Sequence, residues 1–391
     1  MSKTVFPLQI AHFQDEYGNL TEHWIREQVM NTDKVVCDVY ALRNNNGYNS
    51  DEDACLKRCY TRDVHGAAGR INAIGNLLLH RYPQFLLWLY RDNIDLVHAH
   101  MGHNGRYMWP LTNILRIPLV TSFYGFDAYQ GLHIGSNTHK KYLRLFKHGT
   151  LFLVEGSVMK QRLVRIGCHE NKIRIHHLGI DLERYSFKER RLSRQVKLLV
   201  CGRFVEKKGI PYAIEALAIA RSRSTMDIML TIIGDSNRNG SLTPEKQTIL
   251  QRIKELGVDN YVTLTGMLSH EEVLQQLQTH HILLAPSINA VDGDAEGGFP
   301  VIITEALATG MPVIGSDHCD IPEIVTDTEC GFIVPQKDPA KIARRIEEFI
   351  THPDLFNRMG RAGRLKVESS YNIHTQNAKL QHIYMEAVNR R

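Results

Sequence analysis

Short apolar runs alternate with longer amphipathic stretches along the whole chain, a pattern that predicts parallel strands buried on both faces and joined by covering helices. In the first half the predicted strands are VVCDVYAL (35–42), IDLVHAH (94–100), PLVTSF (118–123), TLFLVE (150–155) and IRIHHLG (173–179), with helices near 21–31, 66–90, 136–147 and 157–166. A polar, charged segment, ERYSFKERRLSRQ (183–195), interrupts the pattern. Beyond it the strands are KLLVCG (197–202), IMLTIIGD (228–235), YVTLTG (261–266), HILLAPS (281–287), MPVIGS (311–316) and GFIVP (331–335), with a helix candidate in nearly every gap and a last helical stretch over 353–390. The fold class is therefore α/β. Two doubly wound, Rossmann-like domains are expected, 1–190 and 191–369, with a terminal helix about 370–391 packing back on the first. Ligands of such sheets bind beyond the carboxyl ends of the strands, so the site is expected in a cleft between the domains.

Length agrees with this division, because 391 residues exceed the size at which a single core keeps growing. The most apolar stretch, NLLLHRYPQFLLWLY (76–90), is broken by His80, Arg81 and Pro83. No segment reaches the roughly 18 uncharged apolar residues of a membrane span. The N-terminus lacks the charged, apolar and small-residue sections of a signal peptide. Seven cysteines, an odd number without a Cys-x-x-Cys pair, suit a reducing compartment. A cytoplasmic protein is the expectation. The net charge of +5 is too small for a dedicated nucleic-acid binder, so no nucleic-acid partner is expected, whereas anionic small molecules or an anionic membrane surface fit.

The chemistry concentrates in AEGGFPVIITEALATG (295–310). HILLAPS delivers a buried strand into a Gly- and Asp-rich loop, and the chain enters a helix with Pro300 in its first turn and Gly310 at its stop. A helix start favours an anion, and Gly297-Gly298 would let a phosphate or sugar approach the backbone. Glu305 lies among Val301, Ile302, Ile303, Ala306 and Leu307. A carboxylate buried there needs donors, of which vicinal ribose hydroxyls are one pair; the alternative is an exposed glutamate at the helix edge.

This segment resembles the family 4 retaining glycosyltransferases of the two-domain GT-B fold, whose hallmark is a Glu-x7-Glu segment running into E-A-M/L-A-x-G-x-P-V. Glu305 to Val313 reads Glu-Ala-Leu-Ala-Thr-Gly-Met-Pro-Val. The resemblance implies that Glu305 binds the ribose of a nucleotide-sugar donor, while Glu296 and the following Gly297, Gly298, Phe299, Pro300 and Val301 contact its sugar and phosphates. Eight residues, not seven, separate Glu296 from Glu305, so either the extra glycine loops out or Gly297 takes the first glutamate's place. CGRFVEKKGIPYAIEAL (201–217) is similar to the family's G-R-x4-K-G pattern. Two cations near strand ends can neutralise a diphosphate, and the resemblance assigns that role and leaving-group stabilisation to Arg203 and Lys208. Asp292-Gly293-Asp294 looks like a metal motif, yet position 12 of a calcium loop would be Ile303, so no metal and no cofactor is expected.

In the first half, LVHAHMGHNG (96–105) resembles the family's H-A-H-F-G element. It places His100 and Gly102 on the acceptor side. His98 and His100 could serve zinc, but with no cysteine or carboxylate to complete a site they are read as structural or cleft-lining. LVTSFYGFDAY (119–129) resembles V-T-x-F-H-G-x-D, with Asp127 retained and Tyr124 where histidine is usual; both are catalytic candidates. A tyrosine donates a hydrogen bond but cannot carry a proton at neutral pH. LTEHWIREQV (20–29) and GCHENKIRIHHLGIDLERY (167–185) match further family segments. Lys140, Lys141, Arg144 and Lys147 alternate with Tyr142, Leu143, Leu145 and Phe146 in a predicted basic amphipathic helix, a candidate peripheral membrane contact.

The function implied is transfer of a hexose from a nucleoside diphosphate sugar to a hydroxyl of a glycan or lipid-linked glycan, with retention, in exopolysaccharide or lipopolysaccharide biosynthesis. Two alternatives stay open: a nucleotide-sugar-binding partner of another transferase, and a nucleotide-sugar 2-epimerase on the same fold.

Overall fold

The structure, a computed structural model, describes residues 7–17, 23–32, 35–44, 56–79, 82–130, 132–192, 194–236 and 240–390. The chain divides into two compact units, Met1–Ile180 with Ile373–Arg391, and Asp181–Asn372.

The first unit is built on seven parallel strands: β1 (Leu8–Tyr17), β2 (Val35–Asn44), β3 (Leu56–Cys59), β4 (Leu96–His100), β5 (Leu119–Ser122), β6 (Leu151–Val154) and β7 (Ile173–Ile175). Their spatial order is β3-β2-β1-β4-β5-β6-β7, so the winding reverses between β1 and β4. The sequence pattern missed β1, whose apolar Leu8, Ile10, Ala11 and Phe13 are interleaved with His12, Gln14, Asp15 and Glu16; His12 and Gln14 are nevertheless buried. It also missed β3 and the helix Gly102–Leu115. Two glycines and Pro110 disguise that helix, yet both glycines are packing requirements. A Cβ at Gly102 would collide with Phe123 and Tyr142, and one at Gly105 with Thr121.

Expected helix 66–90 is two helices, Gly66–Leu79 and Gln84–Arg91, because Pro83 starts the second. The last stretch likewise breaks at Tyr371-Asn372 into Asp354–Ser370 and Ile373–Asn389. The final helix covers one face of the first sheet. Leu380, Tyr384 and Ala387 pack on Ile10, Leu96, Val120, Leu151 and Leu153, and the Ile373 amide donates to the Ile180 carbonyl. No helix among the described residues is long and apolar enough to cross a membrane.

The second unit holds all six strands that the sequence pattern predicts: β8 (Gln195–Cys201), β9 (Asp227–Ile233), β10 (Val262–Gly266), β11 (Ile282–Ala285), β12 (Val313–Ser316) and β13 (Gly331–Val334). They run parallel in the order β10-β9-β8-β11-β12-β13, so β8 and β11 flank the reversal. Helices Ile210–Arg223 and Pro339–Thr351 bury Ile214, Leu217, Ile346 and Phe349 against one face of this sheet.

Candidate active site

In a doubly wound sheet the crevice for a ligand opens where strand order reverses. In the second unit that point lies beyond Cys201 and Ala285, and a pocket there is lined by Cys201, Lys208, Ala285, Ser287, Pro300 and Ile302 among others. Lys208 ends a short turn, Glu206–Lys208, and Gly209 follows with φ of 62°. A side chain at Gly209 would strike the Pro286 carbonyl, so only glycine lets the turn lie against β11's exit and start the helix.

Lys208 Nζ pairs with Glu296, 2.9 Å from Oε1 and 3.1 Å from Oε2. Ser287 Oγ donates to the same Oε1 at 2.9 Å. Burial alone would raise the Glu296 carboxyl, but Lys208 and Lys207 outweigh it and hold it at about 2. Glu296 is thus a fixed carboxylate. Lys207 is buried and donates to Asp294 Oδ1 and the Ala295 carbonyl, both at 3.1 Å. Asp292 accepts from the Asp294 amide. The two acids of the metal-like motif therefore shape their own loop.

Gly297 has φ of 81°, a left-handed turn, and with it the chain passes from Glu296 through four residues into the helix Val301–Ala308. The Gly298 carbonyl accepts from the Asp320 amide, and Phe299 is buried edge-on against Tyr371, 5.5 Å between ring centres. Pro300 caps the helix and Val301 opens it. Glu305 is buried at 3% exposure, which removes the helix-edge alternative. Its Oε1 accepts from Tyr185 Oη at 2.9 Å, with His270 Nδ1 at 3.9 Å. Burial, reinforced by Glu305 and opposed by Lys208, pushes the Cys201 thiol up to about 12. Cys201 is therefore within electrostatic reach of both Glu305 and Lys208. Arg203 is exposed, without a side-chain partner among the described residues.

In the first unit Asp127 is buried and accepts from the amides of Gly102 (2.7 Å), Gly125 (2.9 Å) and Tyr124 (3.1 Å). Burial raises its carboxyl while those amides pull it down. Its carboxylate holds the turn and caps the start of the 102–115 helix. Tyr124 Oη lies 2.7 Å from His100 Nδ1, and His100 Nε2 lies 2.9 Å from His12 Nδ1. The tyrosine hydroxyl thus engages buried histidines. His98 bonds Tyr384 and Ser122, both at 2.7 Å. His12, His98 and His100 are the one group among the described residues whose donors cluster closely enough for a metal ion. All but His12 Nε2 already have hydrogen-bond partners, which favours a polar core. Leu20, Thr21 and Glu22 of the predicted 20–29 element lie outside the described residues. Sequence reasoning missed the roles of Tyr185, Ser287, Lys207 and His12; of these only Tyr185 carried a signal, as the end of the 167–185 segment.

Comparison with known proteins decides the lineage. The family described as "Glycosyl transferases group 1" matches residues 181–366, and "Glycosyltransferase Family 4" matches 24–184. The amylovoran biosynthesis glycosyltransferase AmsK of Erwinia amylovora is 32% identical over 283 residues, 72% of this chain and 67% of that one. The chain belongs to the family 4 glycosyltransferases. A putative colanic acid biosynthesis glycosyltransferase, WcaL of Salmonella typhimurium, is 30% identical over 73% of this family 4 chain and 69% of its own. The crystal structure of Anabaena HepE in complex with UDP superposes with a TM-score of 0.77 at 15% identity, covering 97% of this chain and all of that one. The family 4 fold, GT-B with two parallel-sheet Rossmann-like units, is thereby shown.

Proposed function

We propose that the protein moves a hexose from a nucleoside diphosphate sugar to a hydroxyl of a glycan or lipid-linked glycan, with retention, in exopolysaccharide or lipopolysaccharide assembly. The observation that carries the reading is Lys208, a cation beside the opening of the 301–308 helix at the reversal of the second sheet. A pyrophosphate placed there meets Lys208, the helix dipole and first-turn amides, with Arg203 exposed nearby in sequence to close on it. Glu305 takes the ribose. Glu296, with Gly297, Gly298 and Phe299 following, faces the donor sugar, sharing Lys208 with the phosphates.

In this reading the bond from the anomeric carbon to the phosphate oxygen breaks, the bond to the acceptor oxygen forms on the same face, and the acceptor's proton passes to the departing diphosphate. Lys208, Arg203 and the helix start stabilise the negative charge that develops. They perform the electrostatic work a metal would otherwise supply. Asp127 and His100 hold the turn and Tyr124 around the acceptor side at Gly102. The relatives named for amylovoran and colanic acid biosynthesis support a polysaccharide role.

A second element of the reading is membrane contact. The helix Asn137–His148 buries His139, Tyr142, Leu145 and Phe146 and exposes Lys140, Lys141, Arg144 and Lys147, a face suited to anionic lipid. Tyr124, in place of histidine, favours one competitor, a nucleotide-sugar-binding partner without turnover. Incubation with radiolabelled UDP-, GDP- and ADP-hexoses and a lipid-linked glycan acceptor tests the proposal. An α-linked product from an α-linked donor supports it. Donor binding without transfer or hydrolysis supports the competitor, and an epimerised donor without acceptor contradicts both.

A further inference from the structure

Glu305 sits in a helix with little polar surface, so its orientation depends on what is packed around it. The last bond of a glutamate side chain rotates in a broad, shallow well, and a buried carboxylate is fixed only by its donors. Tyr185 supplies one. Its hydroxyl donates to Oε1 at 2.9 Å, and its oxygen lies 3.3 Å from His270 Nε2. The tyrosine ring is 3% exposed and stands edge-on to His270, with 6.3 Å between centres.

The backbone of Tyr185 is fastened to the same helix that carries Glu305. Arg364 Nη1 donates to the Tyr185 carbonyl at 2.6 Å and to the carbonyl of Ala308, the helix's last residue, at 2.9 Å. The Lys188 amide donates to the Thr309 carbonyl, and the buried Arg190 donates to that carbonyl at 2.6 Å and to Thr309 Oγ1 at 3.0 Å. Phe187 covers Gly310, where a Cβ would displace its ring. Segment 185–190 is thus a strap tied to the end of the helix. Tyr185 reaches Glu305 from a base that does not move independently of it.

We infer that Tyr185 is a positioning residue that aims the Glu305 carboxylate at the vicinal hydroxyls of a ribose, with His270 behind it, and that this pair makes the site distinguish a ribonucleotide from its deoxy counterpart. The inference rests on the proposed ribose role of Glu305. The proton order follows from the chemistry: the phenol donates to the carboxylate, and its lone pairs accept from His270 Nε2. A carboxylate already oriented on one side meets a diol without losing rotational freedom on binding, which is where preorganisation gains affinity. A tyrosine that merely satisfied a buried carboxylate would not respond to the sugar of the nucleotide.

The test is calorimetric titration of the full chain with UDP, GDP and ADP, each beside its 2′-deoxy and 3′-deoxy forms, for wild type, Tyr185→Phe, His270→Ala and Glu305→Gln. Wild type should bind its preferred ribonucleotide about tenfold or more tightly than the deoxy forms, the size of a hydrogen bond to a charged group. Tyr185→Phe should weaken the ribonucleotide several-fold and leave the deoxy forms unchanged, so the ratio shrinks. His270→Ala, at the partly exposed end of the chain of bonds, should shrink it by a smaller factor, and it serves if Tyr185→Phe does not fold. A ratio unchanged in these two variants, or equal weakening of both forms, overturns the inference. Separately, a Glu305→Gln variant that keeps the full preference, or a wild type that binds none of the nucleotides, overturns the ribose reading itself.

Discussion

Lys208 and Glu296 form a two-pronged ion pair in which Nζ lies 2.9 Å and 3.1 Å from the two carboxylate oxygens. The side chains are 17% and 7% exposed, so neither charge is well hydrated. The pair holds the cation at the pocket wall before any ligand arrives. It also keeps Glu296 ionised as a hydrogen-bond acceptor.

Lys208→Ala should therefore cost stability as well as donor binding. Removing one partner strands a buried carboxylate, a loss of roughly 2–3 kcal/mol once residual exposure and Lys207 are allowed for. Adding Glu296→Gln should recover part of it. Urea denaturation of the two single variants and the double variant measures the coupling.

Acid should destabilise the fold in two stages. Burial holds His12 and His176 near 3, against an ordinary 6.5, so the unfolded chain takes up protons first as pH falls. Their neutral forms stabilise the fold fully above about 6.5, and the contribution declines from there down to about 3. Glu296 has a depressed carboxyl, at about 2 against 4.5, so its contribution is present above 4.5 and is lost between 4.5 and 2. Urea midpoints measured from pH 7.5 to 4 should begin to fall near pH 6, before the carboxylates titrate. A flat profile to pH 5 would contradict the buried neutral histidines.

Tyr384→Phe removes the hydroxyl that bonds His98 Nδ1 at 2.7 Å and leaves a fully buried ring nitrogen without that partner. The expected loss is about 1–3 kcal/mol, read from thermal or urea unfolding. Because Tyr384 lies on the last helix and His98 on β4, the same variant should increase hydrogen exchange over 373–389.

Transfer should survive EDTA. The proposed anion site is made of side-chain cations and a helix start, so initial rates in chelator and in added magnesium should agree within about twofold. Loss of activity on chelation, restored by a divalent ion, would assign the electrostatic work differently.

The second sheet was legible because its strands are continuous apolar runs between turn signals, as ILLA (282–285) and VIGS (313–316) show. β1 was not, since a strand whose middle carries buried His12 and Gln14 alternates in polarity without a solvent face. The 102–115 helix was hidden by Gly102 and Gly105, which are there for close packing and lower local helix propensity. Glu305 could be singled out because a lone acid in an apolar helix violates patterning. Tyr185 could not be paired with it: the two are 120 positions apart, and only the folded strap brings them together.

The proposed donor site holds a pyrophosphate between Lys208, Arg203 and the opening of the 301–308 helix. Calorimetric titration of wild type and the Arg203→Ala/Lys208→Ala variant with UDP, GDP and ADP, and with the corresponding nucleosides, is the decisive measurement. One diphosphate should bind wild type far more tightly than its nucleoside, and the variant should lose this difference. Equal affinity of the variant and wild type for the diphosphate would contradict it.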